Sequence, residues 1–398
     1  MSADDQALFQ LAALVSPAGQ ELLNRLAQLE VTPDTELRVG AQLRRDYPTE
    51  LVTAALEQHA LRRRAQAKFT RAQRMYFTRT GLEQATAEVI AWHRVTRYAG
   101  AARVADLCCG IGGDLLALAE GREVVAVDRD PRHLRMAGLN AVAYGVADAV
   151  TPVHADVRDV DLSGIDAVFI DPARRAGGHR MRTGASDPPL TWSTRLVDHV
   201  AAVGIKAAPG IDHDVVPAGW EVEFIADRRD LKEATLWSPA LATATSRATI
   251  LPEGNVLLPF PGDAVQCRDP GQFLLDPNPA VTRAGLVKDL ARSLGAWQID
   301  PQIAFLSSDH PLRTPFARTL QVLDSGPWEQ RTLTPRLRAL DVGSVDIRRR
   351  GLAGDVEDLH RRLTLRGTRR ATLVMTRVAD RPWALICVDP DPAPRSGS

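Results

Sequence analysis

Three aspartates stand near the ends of three successive short apolar runs: Asp106 in "VADLCCGIGGDLLALA", Asp128 in "VVAVDRDP" and Asp156 in "VHADV". Gly110, Gly112 and Gly113 follow the first and lead into a helical stretch. Glycines there let a strand turn sharply and let the backbone approach a ligand, while the helix start offers unpaired N–H groups. The second acid suits two ribose hydroxyls and the third an adenine amine. Taken singly, each acid reads equally well as a helix cap or turn residue. Three in register after consecutive strands point instead to a nucleoside-bearing ligand. A fourth apolar run ends in "FIDPARRAGGHRM", where Asp171 and Pro172 are followed by arginines, glycines and a histidine.

The elements that must position these residues follow from periodicity. "RVADLCC", "EVVAVD", "VTPVHAD", "IDAVFID" and "VGIKAAP" are expected strands, with "GDLLALAEG", "PRHLRMAGLNAVAYG" and "LTWSTRLVDHVAAV" as helices between some of them. Strand and helix alternating at this spacing predict an α/β fold with a doubly wound parallel sheet. "WEVEFIAD" and "SRATILPEG" supply late strands. Residues 1–98 read as a helical domain, with apolar residues three and four apart in "QALFQLAALV", "GQELLNRLAQL" and "TELVTAALEQHALRRRAQAKF". The α/β domain is expected over 99–262, ending in the Pro/Gly/Asp-rich "LPFPGDAVQCRDPGQF". A small α+β domain follows over 263–390, with "PAVTRAGLVKDLARSLG" as a helix and "QIAFLSSD", "ARTLQVLDS" and "ATLVMTRV" as strands, and 391–398 reads as a disordered tail.

Composition bounds the function classes. The 49 basic and 49 acidic residues cancel, so any attraction to nucleic acid must be local. Only Lys68, Lys206, Lys232 and Lys288 are lysines; the arginine excess reflects either codon bias or a preference for planar phosphate-gripping groups. The run "LRRRAQAKFTRAQRMYFTR" is a solvated helix face or an RNA-phosphate contact surface. Cys108, Cys109, Cys267 and Cys387 form no CxxC pair and no Cys/His cluster, which argues for a reducing compartment and against a metal site. The start "MSADDQALFQ" is acidic and no apolar run approaches membrane-spanning length. A cytoplasmic protein is expected.

"DLCCGIGGD" fits neither the GxGxxG dinucleotide fingerprint nor the P-loop, and resembles motif I of class I S-adenosyl-L-methionine (AdoMet)-dependent methyltransferases. "FIDPARR" occupies the place of motif IV. Within that superfamily the chain resembles a bacterial group carrying a C-terminal THUMP-like domain, through "KFTRAQRMYFTRTGLEQAT", "GIKAAPGID", "NPAVTRAGLV" and "VDIRRRG". "GLNAVAYGVAD" is also similar to trimethylguanosine synthases and other RNA guanine methyltransferases. The resemblance implies a Rossmann-like methyltransferase domain, AdoMet as cofactor, and a cofactor site of Asp106, Cys108, Gly110, Gly112, Asp128 and Asp156. It further implies that the segment before the first strand closes over the cofactor, with Gln84 and Thr86 either contacting its carboxylate or serving packing and capping. Asn140 is either a site residue or a polar residue on a helix flank.

The reacting centre is expected at Asp171 and Pro172. An amine loses its proton readily after accepting a methyl group, so a carboxylate and backbone carbonyls held at a strand end suffice. The other reading is a strand-ending turn with a capping Asp. Related base-amine enzymes place an aromatic after the proline, where this chain has Ala173 and Arg174. "DPARR" is also similar to the DPPR of uracil-C5 RNA methyltransferases, but the covalent mechanism of those enzymes needs a cysteine that "GIKAAPGID" lacks. Arg174 and Arg175, with His179, Arg180 and Arg182, form a loop that either contacts substrate phosphate or is solvated. These readings lead to a methyltransferase acting on a base nitrogen of structured RNA, tRNA or rRNA, without membrane or metal partners. The alternatives are a methyltransferase of a small anionic metabolite and a silent RNA-binding protein.

Overall fold

The computed structural model describes residues 3–32, 34–173, 175–176, 179–180, 186–352 and 355–390. Arg174, Arg182 and the expected tail 391–398 lie outside the described residues, as does the side chain of Arg175. Contacts divide the chain into two units, Met1–Trp220 with Thr235–Ala242, and Glu221–Ala234 with Thr243–Ser398.

The first unit begins with α1 (Ala3–Val15), α2 (Pro17–Ala27), α3 (Glu36–Leu43) and α4 (Thr49–Ala65). Ser16 caps α2 by accepting a hydrogen bond from Gly19 N–H at 3.2 Å, and Pro17 sits in the first turn, where its missing donor costs nothing. Leu22, Leu26, Val52 and Ala55 close the apolar faces of this bundle over Phe69, Tyr76 and Phe77. The basic run that begins in the last turn of α4 is therefore partly interior. Arg62 is buried, donates from Nε to the Met75 carbonyl at 2.9 Å and places its guanidinium 5.0 Å from the Tyr76 ring centre.

Two short helices, α5 (Arg79–Gln84) and α6 (Glu88–Val95), lead into β1 (Arg103–Leu107). Then come α7 (Leu115–Leu118), β2 (Glu123–Asp128), α8 (Pro131–Tyr144), β3 (Val150–His154), β4 (Ala167–Ile170), α9 (Leu190–Ser193) and β5 (Ala202–Ala207). The five strands are parallel in the order β3-β2-β1-β4-β5. Every residue of β4 is buried, as apolar runs covered on both faces require. Strand order reverses between β1 and β4, and a sheet of this kind opens its ligand crevice at the strand ends flanking that switch. The fold is the expected Rossmann-like one. The long helix expected over "LTWSTRLVDHVAAV" is instead α9 followed by a 3-10 turn, Thr194–Asp198. Its last apolar residues are drawn into β5, where Ala202 to Ile205 pair with Ala167 to Ile170.

Asn140 on α8 joins three parts of this unit. It is fully buried; its Oδ1 accepts from Tyr76 N–H at 2.7 Å, and its Nδ2 donates to the carbonyls of Tyr76 at 3.1 Å and Ile111 at 2.8 Å. One amide thus fixes the N-terminal bundle to the glycine turn after β1.

The second unit contains β6 (Glu221–Asp227), which pairs in parallel with β8 (Ser246–Leu251), itself antiparallel to β9 (Asn255–Leu257). Strand β7 (Asp230–Trp237) starts in this unit and ends in the first. A seven-stranded sheet follows, in spatial order β11 (Trp297–Gln298), β12 (Leu306–Ser308), β10 (Phe273–Pro277), β13 (Ala317–Pro327), β16 (Arg381–Val388), β15 (Arg369–Val378) and β14 (Val342–Arg349). Only β14 and β15 are parallel neighbours in it. Alternate residues serve opposite cores: Leu373 and Ile386 pack with Leu333 and Leu337, while Val374 and Leu385 pack with Leu274 and Phe305. The helix read over "PAVTRAGLVKDLARSLG" is two, α10 (Pro279–Arg283) and α11 (Val287–Leu294). Gly285 between them adopts φ +74°, which a continuous right-handed helix excludes.

Asn140→Ala leaves one N–H and two carbonyls without a partner in a buried site, so it should lower stability by about 2–4 kcal/mol. Urea unfolding checks this. A loss below about 0.5 kcal/mol, the range of ordinary surface substitutions, would show that the amide is dispensable.

Candidate active site

The strand ends around the switch point enclose a cleft of about 460 Å³. Asp106, Cys108, Gly110, Asp128, Asp156, Asp171 and Pro172 all line it. Gly112 does not: with φ +91° it turns the chain against Ala137 of α8, and Gly113 lines the cleft instead. A Cβ on Gly113 would lie 2.9 Å from the Thr86 backbone nitrogen, so only glycine permits this approach. Cys108 also holds a positive φ, +62°. Burial, with the charges of Asp128, Asp171 and Asp106, raises its thiol well above the usual range, and burial raises Cys109 likewise. A thiolate nucleophile is thereby disfavoured, in keeping with the cysteine-free "GIKAAPGID".

The acids differ in how they are held. Asp128 accepts from Gly110 N–H and Asp130 N–H, each at 2.8 Å, which fixes its plane. Asp156 accepts from Arg158 N–H at 2.9 Å and from the Arg158 side chain, so it is a turn cap as well as a cleft residue. Asp106 is 1% exposed, and neither of its carboxylate oxygens has a hydrogen-bond partner among the described residues. Burial, followed by the charges of Asp171 and Asp128, pushes its carboxyl well above the ordinary carboxylate range; Arg94 and Lys206 pull against this.

Asp171 follows β4, with its N–H bonded to the Leu107 carbonyl at 3.2 Å. Lys206 of β5 donates from Nζ to Asp171 Oδ2 at 2.7 Å and to Thr86 Oγ1 at 2.8 Å. Thr86 in turn donates to Asp114 Oδ2 at 2.6 Å, Asp114 pairs with buried Arg94, and the Arg94 guanidinium lies 4.4 Å from the ring centre of Phe169 in β4. Gln84 and Thr86 both line the cleft, and the Thr86 hydroxyl is committed to this chain of bonds. Lys68 holds the same segment from the other end, donating to the carbonyls of Leu82 at 2.8 Å, Glu83 at 3.1 Å and Ala85 at 2.8 Å.

After Pro172, Ala173 and Asp187 also line the cleft. Ala173 and Asp187 exchange two backbone hydrogen bonds, each 2.9 Å, and Arg175–Ala176 pairs with His179–Arg180. Arg129 and Arg158 both grip the Asp187 carboxylate, and these hydrogen bonds, Arg158's first, hold it below the usual range. Lys206, Arg129, Arg158 and Asp187 were not expected from sequence. A lysine within the apolar run "VGIKAAP", in a chain of mostly arginines, was the available signal for Lys206; the others meet only in the fold. Among the described residues no group of three or more His, Cys, Asp or Glu is placed to hold a metal ion, and no helix is long and apolar enough to cross a membrane.

Residues 101–199, which contain most of this cleft, match the family model of RNA cap guanine-N2 methyltransferases. Residues 317–388 match a THUMP domain-like family, and residues 7–65 a domain of unknown function. An uncharacterized S-adenosylmethionine-dependent methyltransferase of Mycobacterium tuberculosis H37Rv is 40% identical over 316 residues, covering 76% of this chain and 84% of the relative. Strain CDC 1551 of the same organism has one with equal identity and coverage. The crystal structure of a putative methyltransferase from Porphyromonas gingivalis W83 shares the fold, with a TM-score of 0.72 at 18% identity over 92% of this chain and all of that one. The chain belongs to the S-adenosylmethionine-dependent methyltransferases, and S-adenosylmethionine is its cofactor.

Lys206→Met strands the Asp171 carboxylate beside Asp106, and should cost about 2–4 kcal/mol of stability. Adding Asp171→Asn should recover roughly half of that loss or more if the two residues are coupled. A double-mutant cycle in urea with no recovery would show that the pair carries no interaction energy.

Proposed function

We propose that this enzyme methylates a base nitrogen of a structured RNA, with tRNA and rRNA as the candidate substrates. The observation that carries the reading is the pairing on one chain of an RNA cap guanine-N2 methyltransferase match over 101–199 with a THUMP domain-like match over 317–388. A small-metabolite methyltransferase has no evident need for the second.

The residues of the cleft fit the cofactor. Asp106 presents two oxygens in a buried position with no hydrogen-bond partner among the described residues, suited to the positively charged methionyl part. Asp128 and Asp156 would face the ribose and adenine, with Cys108 and Gly110 lining the turn between them and Gly112 shaping it. When bound, the cofactor supplies an electrophilic methyl group on a sulfonium.

The remaining work falls to Asp171 and Pro172. Lys206 holds Asp171 Oδ2, and Oδ1 has no hydrogen-bond partner among the described residues. That oxygen can accept an N–H of the base amine, turn the nitrogen lone pair toward the methyl group and take the proton released after transfer. Pro172 fixes the chain direction at this turn. Arg174 and Arg175 would contact the RNA from the loop closed by Ala173 and Asp187.

Incubated with labelled AdoMet and total RNA from cells lacking the protein, the enzyme should label one RNA species. Asp171→Ala should cut transfer by about a hundredfold or more, with cofactor affinity kept. Transfer to a metabolite extract and none to RNA would replace this reading. Lost cofactor affinity in the variant would move Asp171 from the acceptor side to the cofactor side.

A further inference from the structure

The second unit contains a basic cavity unrelated to the cleft. It measures about 510 Å³ and is lined by Arg229, Asp276, Phe305, Arg348, Arg349 and Arg350 among others. Asp276 on β10 is buried, and each of its oxygens holds one guanidinium: Oδ2 accepts from Arg229 Nη2 at 2.9 Å and Oδ1 from Arg350 Nη2 at 3.0 Å. The Arg350 guanidinium also lies 5.0 Å from the Phe305 ring centre. One carboxylate and one aromatic face therefore fix two planar donor groups that would otherwise be mobile. Each guanidinium has five N–H donors, most of them not spent on these bonds.

The charges do not balance. Arg229, Arg348 and Arg350 line the cavity with one carboxylate, Asp276. Arg348 is exposed and makes no hydrogen bond or ion pair with the described residues. Arg318, whose charge also reaches Arg229, is itself paired with Asp389 at 2.7 Å. Burial, and the positive charges of Arg348, Arg318 and Arg350, lower the Arg229 guanidinium below its usual range against the pull of Asp276. Crowded, partly desolvated guanidinium groups are relieved by an anion that accepts several N–H bonds at once, and a phosphate group does so with oxygens directed tetrahedrally.

We propose that Arg229, Arg348 and Arg350, organised by Asp276, form a phosphate-binding pocket. Arg229 and Asp276 lie outside the stretch 317–388 that matches the THUMP domain-like family, so the pocket is a feature of this unit as a whole. It rests on the RNA reading only for the source of the phosphate, which is either an internal phosphodiester or a terminal monoester.

The test uses the full chain and three probes: inorganic phosphate against chloride at equal ionic strength, and one RNA oligonucleotide carrying either a 5′-phosphate or a 5′-hydroxyl. Phosphate should raise the thermal midpoint more than chloride does. Arg348→Met and Arg229→Met should each weaken phosphate binding about tenfold, with AdoMet affinity unchanged. A preference for the 5′-phosphate that Arg348→Met removes supports the pocket and assigns it a chain end; equal binding of both RNAs, weakened equally, supports it and assigns the backbone. Phosphate binding without RNA binding supports the pocket and removes the RNA reading. No phosphate effect in the parent protein, or none lost in both variants, overturns the pocket.

Discussion

Several carboxylates line one cleft, and the repulsion of Asp128 and Asp171 on buried Asp106 is the constraint on which the site depends. A partly buried cleft cannot hold several unshared negative charges. Asp128 is relieved by two backbone N–H groups and Asp171 by the Lys206 ammonium. Neither oxygen of Asp106 accepts a hydrogen bond from the described residues, and burial and its acidic neighbours push its carboxyl upward against the pull of Arg94 and Lys206. In the proposed cofactor site, a bound cation would supply the partner that Asp106 lacks among the described residues.

Relieving the other two acids dictates much of the local architecture. One of the two N–H groups that reach Asp128 comes from Gly110, in a turn that holds positive φ at Cys108, Gly110 and Gly112. The ammonium that reaches Asp171 also holds Thr86, tying the cleft wall to β5. Lys68 grips three carbonyls of the same wall. Two or three oxygens converging on one point suit a compact ammonium, whereas a guanidinium spreads its donors in a plane. This gives a physical reason why lysine stands at two of four positions in a chain that otherwise uses arginine.

The parallel sheet and its acids were legible in the sequence because each buried strand is a short apolar run ending in a charged or glycine-rich turn. Asp106, Asp128 and Asp171 fall where that reading placed them, at the ends of β1, β2 and β4 or just past them. What escaped it were pairings between distant residues. Asn140 had no local signal for its bonds to Tyr76 and Ile111, and Arg129, Arg158 and Asp187 converge only once three strand ends are side by side. The helix expected before β5 failed for a related reason: sheet pairing claimed residues whose local pattern was helical. In the second unit, "VDIRRRG" was legible as basic, but not that Asp276 would orient Arg350 beside Arg229.

The central claim is that Asp106 is the unshared charge of the cleft, and proton linkage on cofactor binding tests it most directly. With its carboxyl raised, Asp106 is protonated in the free protein over a range where an ordinary carboxylate is ionised. A bound cation favours the ionised form, so a proton leaves on binding and affinity rises with pH across that range. Calorimetric titration with AdoMet in buffers of different ionisation enthalpy should show net proton release, lost together with affinity in Asp106→Asn. Binding with no proton released, or the same release and affinity in Asp106→Asn, would contradict the account.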